Sequence, residues 1–224
     1  MSSARDDILS TIRRSLGVTG SERTRQGIVD ERIDRAPKGV VPKRGQVSGR
    51  ERIDLFRAQV EAALATITEV ASAAEVPAAV ADFLRGHNLP ATIRRGDDPR
   101  LSAMPWADTA LEVTSGVSEG RDLNAVSHAF GGVAETGTLV MVSGPENPST
   151  LNFLPDNHIV VVNARDLQGD YETAWSKLRM AYGKGEMPRT VNFITGPSRS
   201  GDIEQTLLLG AHGPRRVHVI VVNG

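Results

Sequence analysis

Two short stretches of the chain carry side chains able to do chemistry. The first is Val133-Ala134-Glu135-Thr136-Gly137-Thr138-Leu139, in which one carboxylate stands among β-forming and apolar residues. An acid at the end of a buried strand is costly unless it is hydrogen-bonded or put to use. Glu135 could serve as a nucleophile or a general base, with Thr136, Gly137 and Thr138 as ligand contacts around it. The plain alternative is a turn residue accepting hydrogen bonds from Thr136 or Thr138. The second stretch is Gly196-Pro197-Ser198-Arg199-Ser200-Gly201. It offers two hydroxyls, a guanidinium and free backbone N–H groups ahead of an expected helix, which suits a small anion held by Gly196, Ser198, Arg199 and Ser200. Asp202 speaks for the alternative, a well-capped turn, because an acid in the first turn repels a phosphate. The loop lacks the G-x-x-x-x-G-K-[ST] pattern of a phosphate-binding loop.

Other chemistries find little support. The five histidines are His87, His128, His158, His212 and His218, and none forms an i, i+4 pair or an H-E-x-x-H motif. No metal site is expected. His212 is the best functional candidate among them because it shares a loop with Arg215 and Arg216, though an intervening helix would separate it from Ser198. The chain has no cysteine, which rules out disulfides and thiolate-held zinc or iron–sulfur clusters. No G-x-G-x-x-G follows a strand, which disfavours a nicotinamide or flavin in the Rossmann mode. Aromatic residues make up 4% of the chain and are scattered, too few for a base-stacking platform.

Elements that could position these residues follow from periodicity. Val191 to Thr195 reads as a strand ended by Gly196-Pro197, Ser200 to Leu209 as a helix, and Val217 to Val222 as a second strand. The unit predicts a right-handed crossover and a parallel pair. Ser143 to Pro148 is a rigid loop that could wall the cleft of Glu135. Ala125 to Ser143 reads as two strands meeting at Glu135–Thr138, so the sheet is expected to be mixed. His158 to Val162 is another buried strand. Helices are predicted over Ser3–Leu16, Arg50–Ala65, Glu75–Arg85 and Leu167–Tyr182, with short strands at Thr66–Val70, Ala91–Ile93 and Leu111–Val113. The polar segment Val18–Gly49 shows no sustained period and reads as an extended arm. Residues 1–57 hold 13 basic and 8 acidic residues, a charge of +5, so the remainder carries −6 of the net −1. Opposite signs could hold the arm to its core or to a neighbouring subunit. The domain reading is an N-terminal helix and arm over 1–49 and an α/β domain over 50–224.

Ala134–Pro145, AETGTLVMVSGP, and Ile194–Val222, ITGPSRSGDIEQTLLLGAHGPRRVHVIVV, together resemble the LUD-domain family. The resemblance implies an α/β fold, a mixed, mainly parallel sheet flanked by helices, like that of the glucosamine-phosphate deaminase, ribose-phosphate isomerase and CoA-transferase group. CoA transferases of that group use a glutamate nucleophile, which adds a role for Glu135 by analogy. The resemblance also implies a cytoplasmic part in oxidising L-lactate to pyruvate, alongside iron–sulfur partner proteins. It brings no settled mechanism and no cofactor.

At 224 residues, 39% apolar and 24% charged, the chain has the composition of an ordinary globular protein. Net charge −1 gives no general attraction to nucleic acid or acidic membranes. The acids near the start are unlike a signal peptide, and a cytoplasmic location is expected. Two readings remain open. One is a non-redox component of a lactate utilization system. The other is a freestanding enzyme or binding protein for a phosphorylated, CoA-linked or nucleotide ligand at the Glu135 and Ser198 loops.

Overall fold

The computed structural model describes residues 3–183, 185–201 and 207–224; for Gly201 and Leu207 it gives the backbone alone. Its helices are α1 (Ala4–Leu16), α2 (Arg23–Arg35), α3 (Gly49–Ala62), α4 (Val76–Gly86), α5 (Pro99–Ser102), α6 (Thr150–Phe153) and α7 (Tyr171–Tyr182). Its strands are β1 (Thr66–Val70), β2 (Thr92–Arg95), β3 (Glu112–Ser115), β4 (Asn124–His128), β5 (Gly131–Val133), β6 (Thr138–Val142), β7 (Asn157–Asn163), β8 (Leu167–Gln168), β9 (Val191–Ile194), β10 (Arg199–Gly201), β11 (Leu207–Leu209) and β12 (Arg216–Val222). The chain divides into two compact units, Met1–Gly39 and Val40–Gly224.

In the first unit, α1 starts on a capping box in which Ser3 accepts from Asp6 N–H and Asp6 accepts from Ser3 N–H. Left-handed Gly17 ends it. Residues 23–35, read from the sequence as extended arm, form α2 instead. Arginine, glutamate and glutamine are good helix formers. An Arg35–Glu31 pair at 2.9 Å adds an i, i+4 contact, and no apolar stripe is required for any of this.

The second unit is built on a six-stranded sheet in the order β1-β12-β7-β4-β2-β3, parallel throughout. Its central strands are apolar on both sides, as parallel strands must be when both faces are covered. Ile159 and Val161 of β7 and Ile220 and Val222 of β12 point to one face, where Val76, Val80, Phe83 and Leu84 of α4 cover them. Val160 and Val162, with Val217, Val219 and Val221, point to the other face. There Phe56 and Val60 of α3 share the cover with a second sheet, ordered β8-β5-β6-β9. The expected mixing of strand directions is therefore confined to that second sheet, where β5–β6 and β6–β9 are antiparallel and β5–β8 is parallel. The stretch 125–143, read as two strands, holds three: β4 in the main sheet, then β5 and β6 in the cover. Leu178 and Ala174 of α7 close the outer side of the cover with Val133 and Val140.

The predicted crossover does not form. β9 runs antiparallel to β6, while β12 lies between β1 and β7 in the other sheet. β6 leaves the β5 hairpin with one open edge, and β9 fills it. The expected helix over Ser200–Leu209 is replaced at both ends by strand, since β10 and β11 pair antiparallel from Arg199↔Leu209 to Gly201↔Leu207. Asp202, Ile203 and Glu204, placed in that helix by the sequence reading, lie outside the described residues. Consecutive leucines at 207–209 serve a strand as readily as a helix face.

Residues 40–49 belong with the α/β body rather than with the arm. Gly45, at the end of the 3-10 turn Lys43–Gly45, packs backbone to backbone on Gly169, and a methyl group at either position would run into the other's carbonyl oxygen. Gln46 donates to Asp170 at 3.0 Å. Three buried histidines, His128, His158 and His218, sit in the sheet. His158 on β7 is fully buried with Nε2 3.0 Å from Ser127 Oγ, and burial pushes its pKa down to about 3. The Ser127 hydroxyl donates onward to Asn152, so the imidazole donates to the serine. That is the reverse of what serine activation needs. His218 on β12 stacks on Phe83 and contacts Thr66 at 2.7 Å, and burial brings its pKa to about 4.

Two outcomes follow from this architecture. A chain lacking residues 1–39 unfolds in one cooperative transition at the full-length stability. Removing 1–49 strips the Gly45 packing and the Gln46–Asp170 bond and lowers stability by on the order of 1–3 kcal/mol in urea unfolding. Equal stabilities would return residues 40–49 to the arm. For pH the sign is set by His158 and His218, whose folded pKa values lie below their unfolded 6.5, and buried His128 is lowered in the same direction. Their contribution is complete above pH 6.5 and declines as pH falls, because the unfolded chain binds more protons. Between pH 6.5 and 4.5 each should remove about 1.4 kcal/mol per pH unit, and His218→Phe should reduce the slope by one such share. A urea midpoint unchanged from pH 7.5 to 5 would contradict this.

Candidate functional site

Glu135 caps the end of β5, where the hairpin turns toward β6. The turn needs Gly137 in a left-handed conformation, φ +66°, and a side chain there would strike the backbone of α3 at Gln59 and Val60. Gly196, at the carboxyl end of β9, is also left-handed and meets Ala63 just beyond the same helix. Because β9 lies antiparallel on β6, the end of one strand meets the start of the other. Glu135, Thr136, Gly137, Thr138 and Gly196 therefore come together, through antiparallel rather than parallel strands.

Glu135 is 3% exposed. Its backbone N–H donates to Gly169, and its Oε1 accepts from Tyr171 N–H at 3.3 Å. Oε2 is buried and has no hydrogen-bond partner. Four hydroxyls stand close by without supplying one. Thr136, Thr138 and Tyr171 form a closed ring of contacts at 2.7, 3.1 and 2.9 Å, and Thr195 joins Thr138 at 2.6 Å. The four hydroxyls thus satisfy one another, and none is in hydrogen-bonding geometry with Oε2. A buried carboxylate oxygen left bare is able to accept from an incoming O–H or N–H, or to attack an electrophile. The buried turn at Gly45 packs beside the Glu135 side chain.

The other predicted residues, Ser198, Arg199 and Ser200, lie at the start of the β10–β11 hairpin. Ser198 N–H donates to Pro214, its carbonyl accepts from Gly210, and its hydroxyl accepts from His212 N–H at 3.2 Å. Ser198 and His212, expected at opposite ends of a helix, are thus in contact, because a hairpin folds the chain back where a helix would have carried it away. Arg199 is exposed on β10 and Ser200 follows it in the strand, opposite Leu209 and Leu208. The helix N-terminus that made this loop attractive to an anion is absent at Ser200–Gly201, which are strand. The loop Ser143–Asn147 lies at the far end of the β5–β6 hairpin from Glu135, and Asn147 ties it there by donating to His128 and Val142 carbonyls.

That far end holds a cluster the sequence reading passed over. It is at the carboxyl ends of β2 and β4, where ligands bind in open parallel sheets. A cleft of about 220 Å³ opens between the Ser143–Asn147 loop and Asp98, Arg100, His128, Phe130 and Tyr182. Asp98, 4% exposed, caps α5 and takes Arg100 in a two-point ion pair, Nε–Oδ1 at 2.9 Å and Nη2–Oδ2 at 2.6 Å. The Asp98 pKa is lowered, with the Arg100 pairing outweighing burial. Arg100 Nη1 and His128 Nδ1 both donate to the Ala129 carbonyl, at 3.4 and 2.9 Å. A carbonyl only accepts, so the neutral His128 ring carries its proton on Nδ1 and its lone pair on Nε2. Burial, followed by the Arg100 charge, pushes the His128 pKa down and keeps that tautomer neutral. The sequence reading ran one strand from Ala125 past His128 to the Glu135 turn, whereas β4 ends at His128 and β5 starts at Gly131. No group of three or more metal-ligating side chains occurs among the described residues.

Comparison with known proteins fits this geometry. Residues 124–222 match the LUD domain, a range that includes His128, Glu135 and the Gly196–Gly201 loop. Lactate utilization protein C of Geobacillus thermodenitrificans is 35% identical over 144 residues, covering 56% of this chain and 60% of that protein. Its counterpart in an Exiguobacterium strain is 33% identical over 144 residues, covering 59% and 62%. The matches thus span about three fifths of these relatives' length. The crystal structure of a DUF162 family protein from Deinococcus radiodurans superposes with a TM-score of 0.58 at 22% identity, over 79% of this chain and 99% of that one, which shows a shared fold. The two motifs that carry the resemblance, Ala134–Pro145 and Ile194–Val222, both fall within the residues that match the LUD domain.

Proposed function

We propose that this protein is a non-redox component of an L-lactate utilization system, acting in the cytoplasm with iron–sulfur partner proteins that oxidise L-lactate to pyruvate. The observation that carries this reading is the similarity to relatives named lactate utilization protein C, and the Glu135 hairpin lies within the LUD-domain match. The composition supports the division of labour. A chain with no cysteine holds no thiolate-ligated cluster, so the two electrons from lactate pass to partners. Among the described residues no helix is long and apolar enough to cross a membrane.

A second reading, a freestanding enzyme for a phosphorylated, CoA-linked or nucleotide ligand, draws on one feature: the bare Oε2 of Glu135. Anion contacts at Gly196, Ser198, Arg199 and Ser200 would serve it. Phosphate, nucleotide or CoA binding that weakens in Arg199→Ala would favour this second reading.

The test is genetic and biochemical together. A strain lacking the protein should fail to grow on L-lactate while growing on pyruvate, and the tagged protein should recover iron–sulfur proteins from lactate-grown cells. Normal growth on lactate would overturn the proposal. Glu135→Gln removes the buried charge while keeping the shape. Its melting temperature should be unchanged or raised, since an unpaired buried oxygen costs about 1–3 kcal/mol, and complementation on lactate should be lost. A Glu135→Gln protein that melts several degrees lower yet complements fully would make the carboxylate structural.

A further inference from the structure

We infer that the cleft at the carboxyl ends of β2 and β4 is a binding site for a short 2-hydroxy monocarboxylic acid, with Arg100 holding the carboxylate and His128 accepting the hydroxyl proton in a hydrogen bond.

The donors and acceptors are matched to that class. A guanidinium has five N–H groups. Arg100 spends two on Asp98 and one on the Ala129 carbonyl, and two remain on a side chain that is 46% exposed and lines the cleft. A planar pair of N–H groups is the standard partner of a carboxylate. Asp98 does not cancel this capacity. It fixes the guanidinium plane from the buried side and leaves the outer donors free. His128 is tethered to the same carbonyl oxygen as Arg100, so the two groups are held as near neighbours. Its Nδ1–H is used there, and the lone pair on Nε2 is left to accept.

An acceptor beside a carboxylate-binding fork selects a hydroxy acid. A 2-oxo acid would set its carbonyl lone pairs against that of Nε2, and an acid without an oxygen at carbon 2 would leave the acceptor unpaired. Phe130, Val142 and Tyr182 supply an apolar wall for a methyl group. Glu146 stands on the opposite loop and repels a second carboxylate, which excludes dicarboxylic acids. The loop carrying it is seated tightly, since any side chain at Gly96 would strike the Glu146 carbonyl. The volume of about 220 Å³ accommodates a short hydroxy acid together with a few waters.

This inference deepens the lactate-utilization reading and rests on it for the choice of L-lactate as ligand. The step is binding alone; no bond to carbon or hydrogen is broken in the cleft.

The experiment titrates the full chain with L-lactate, pyruvate, propionate and L-malate by calorimetry, with the His128 ring followed by NMR. L-lactate should bind saturably and about tenfold more tightly than pyruvate or propionate, the size of one selective hydrogen bond. Malate should bind more weakly still, and the His128 resonances should move with lactate. His128→Asn keeps a donor for Ala129 but removes Nε2, and should erase the lactate preference while propionate binding persists. Arg100→Lys keeps a charge for Asp98 but loses the fork, and should weaken all monocarboxylates about tenfold. Circular dichroism and melting of both variants check that the fold is intact. No saturable lactate binding, or a lactate preference retained in His128→Asn, would overturn the assignment. Growth separates the two claims. Full complementation on lactate by both variants, with growth lost in the deletion, removes the cleft and leaves the function. Selective lactate binding with unimpaired growth of the deletion strain removes the function and leaves the cleft.

Discussion

The structure depends on one constraint: a parallel sheet whose central strands are apolar on both faces has to be covered on both. Each buried valine or isoleucine of β7 and β12 contributes about 1.5–3 kcal/mol only if water is excluded from its side of the sheet. On one face α4 does this. On the other, α3 covers only part, and the four-stranded sheet of β5, β6, β8 and β9 covers the rest. A sheet used as a cover brings its own requirement, because its outer face must in turn be shielded. α7 does so through Ala174 and Leu178, with Trp175 and Tyr171 against Phe193. The layers follow from successive apolar faces, each needing the next.

This arrangement explains where the polar groups collect. The β5–β6 hairpin crosses the second face as part of the cover, and its two ends emerge at different places. One end, at Glu135–Thr138, meets the C-terminal part of α3, the Gly45 turn and the start of α7. The other end meets the carboxyl ends of the main strands at His128 and the Ser143–Asn147 loop. Tight backbone approaches pin both ends. Gly137 and Gly196 lie against α3 and Ala63, and Gly96 lies against Glu146. A close-packed interior transmits such fixings with little give, so each cluster is held by rigid elements although it is made of loop residues.

Strands whose apolar pattern is local and strong were legible in the sequence almost to the residue. Thr66–Val70 and Val217–Val222 are examples, as are the apolar stripes of α3 and α4. What failed was inference about connection. Val191–Ile194 is a strand, but its partner is decided by the open edge that the β5–β6 hairpin leaves, a tertiary fact with no local signature. The Ser200–Leu209 helix failed for a related reason. Ser200 as a cap and Leu207 on an apolar face fit a helix, and the same leucines fit a hairpin once β9 has left the main sheet. α2 was missed because a helix rich in arginine and glutamate needs no apolar period. Among candidate residues, Glu135 stood out in the sequence because a carboxylate in an apolar strand breaks pattern, and the structure buries it. His128 breaks none: it ends a strand, as many histidines do, and only the topology shows that this is the ligand end of a parallel sheet.

Stability alone does not account for Glu135. A folded domain keeps roughly 5–15 kcal/mol in hand, and a buried oxygen without a donor costs an appreciable share of it. Four hydroxyls, of Thr136, Thr138, Tyr171 and Thr195, bond one another, and none of them reaches Oε2. His158 offers a contrast inside the same fold. It too has an unpartnered nitrogen, but burial leaves it neutral, and a neutral lone pair in an apolar core is tolerated at modest cost. Glu135 instead sits where two glycine-tight turns and the Gly45 segment meet, so its surroundings are fixed by backbone rather than by side chains that could adjust. Local cost held in place by rigid surroundings is how sites for ligands differ from the rest of a core. The cost of the unpartnered Glu135 oxygen is carried by the apolar layers around it.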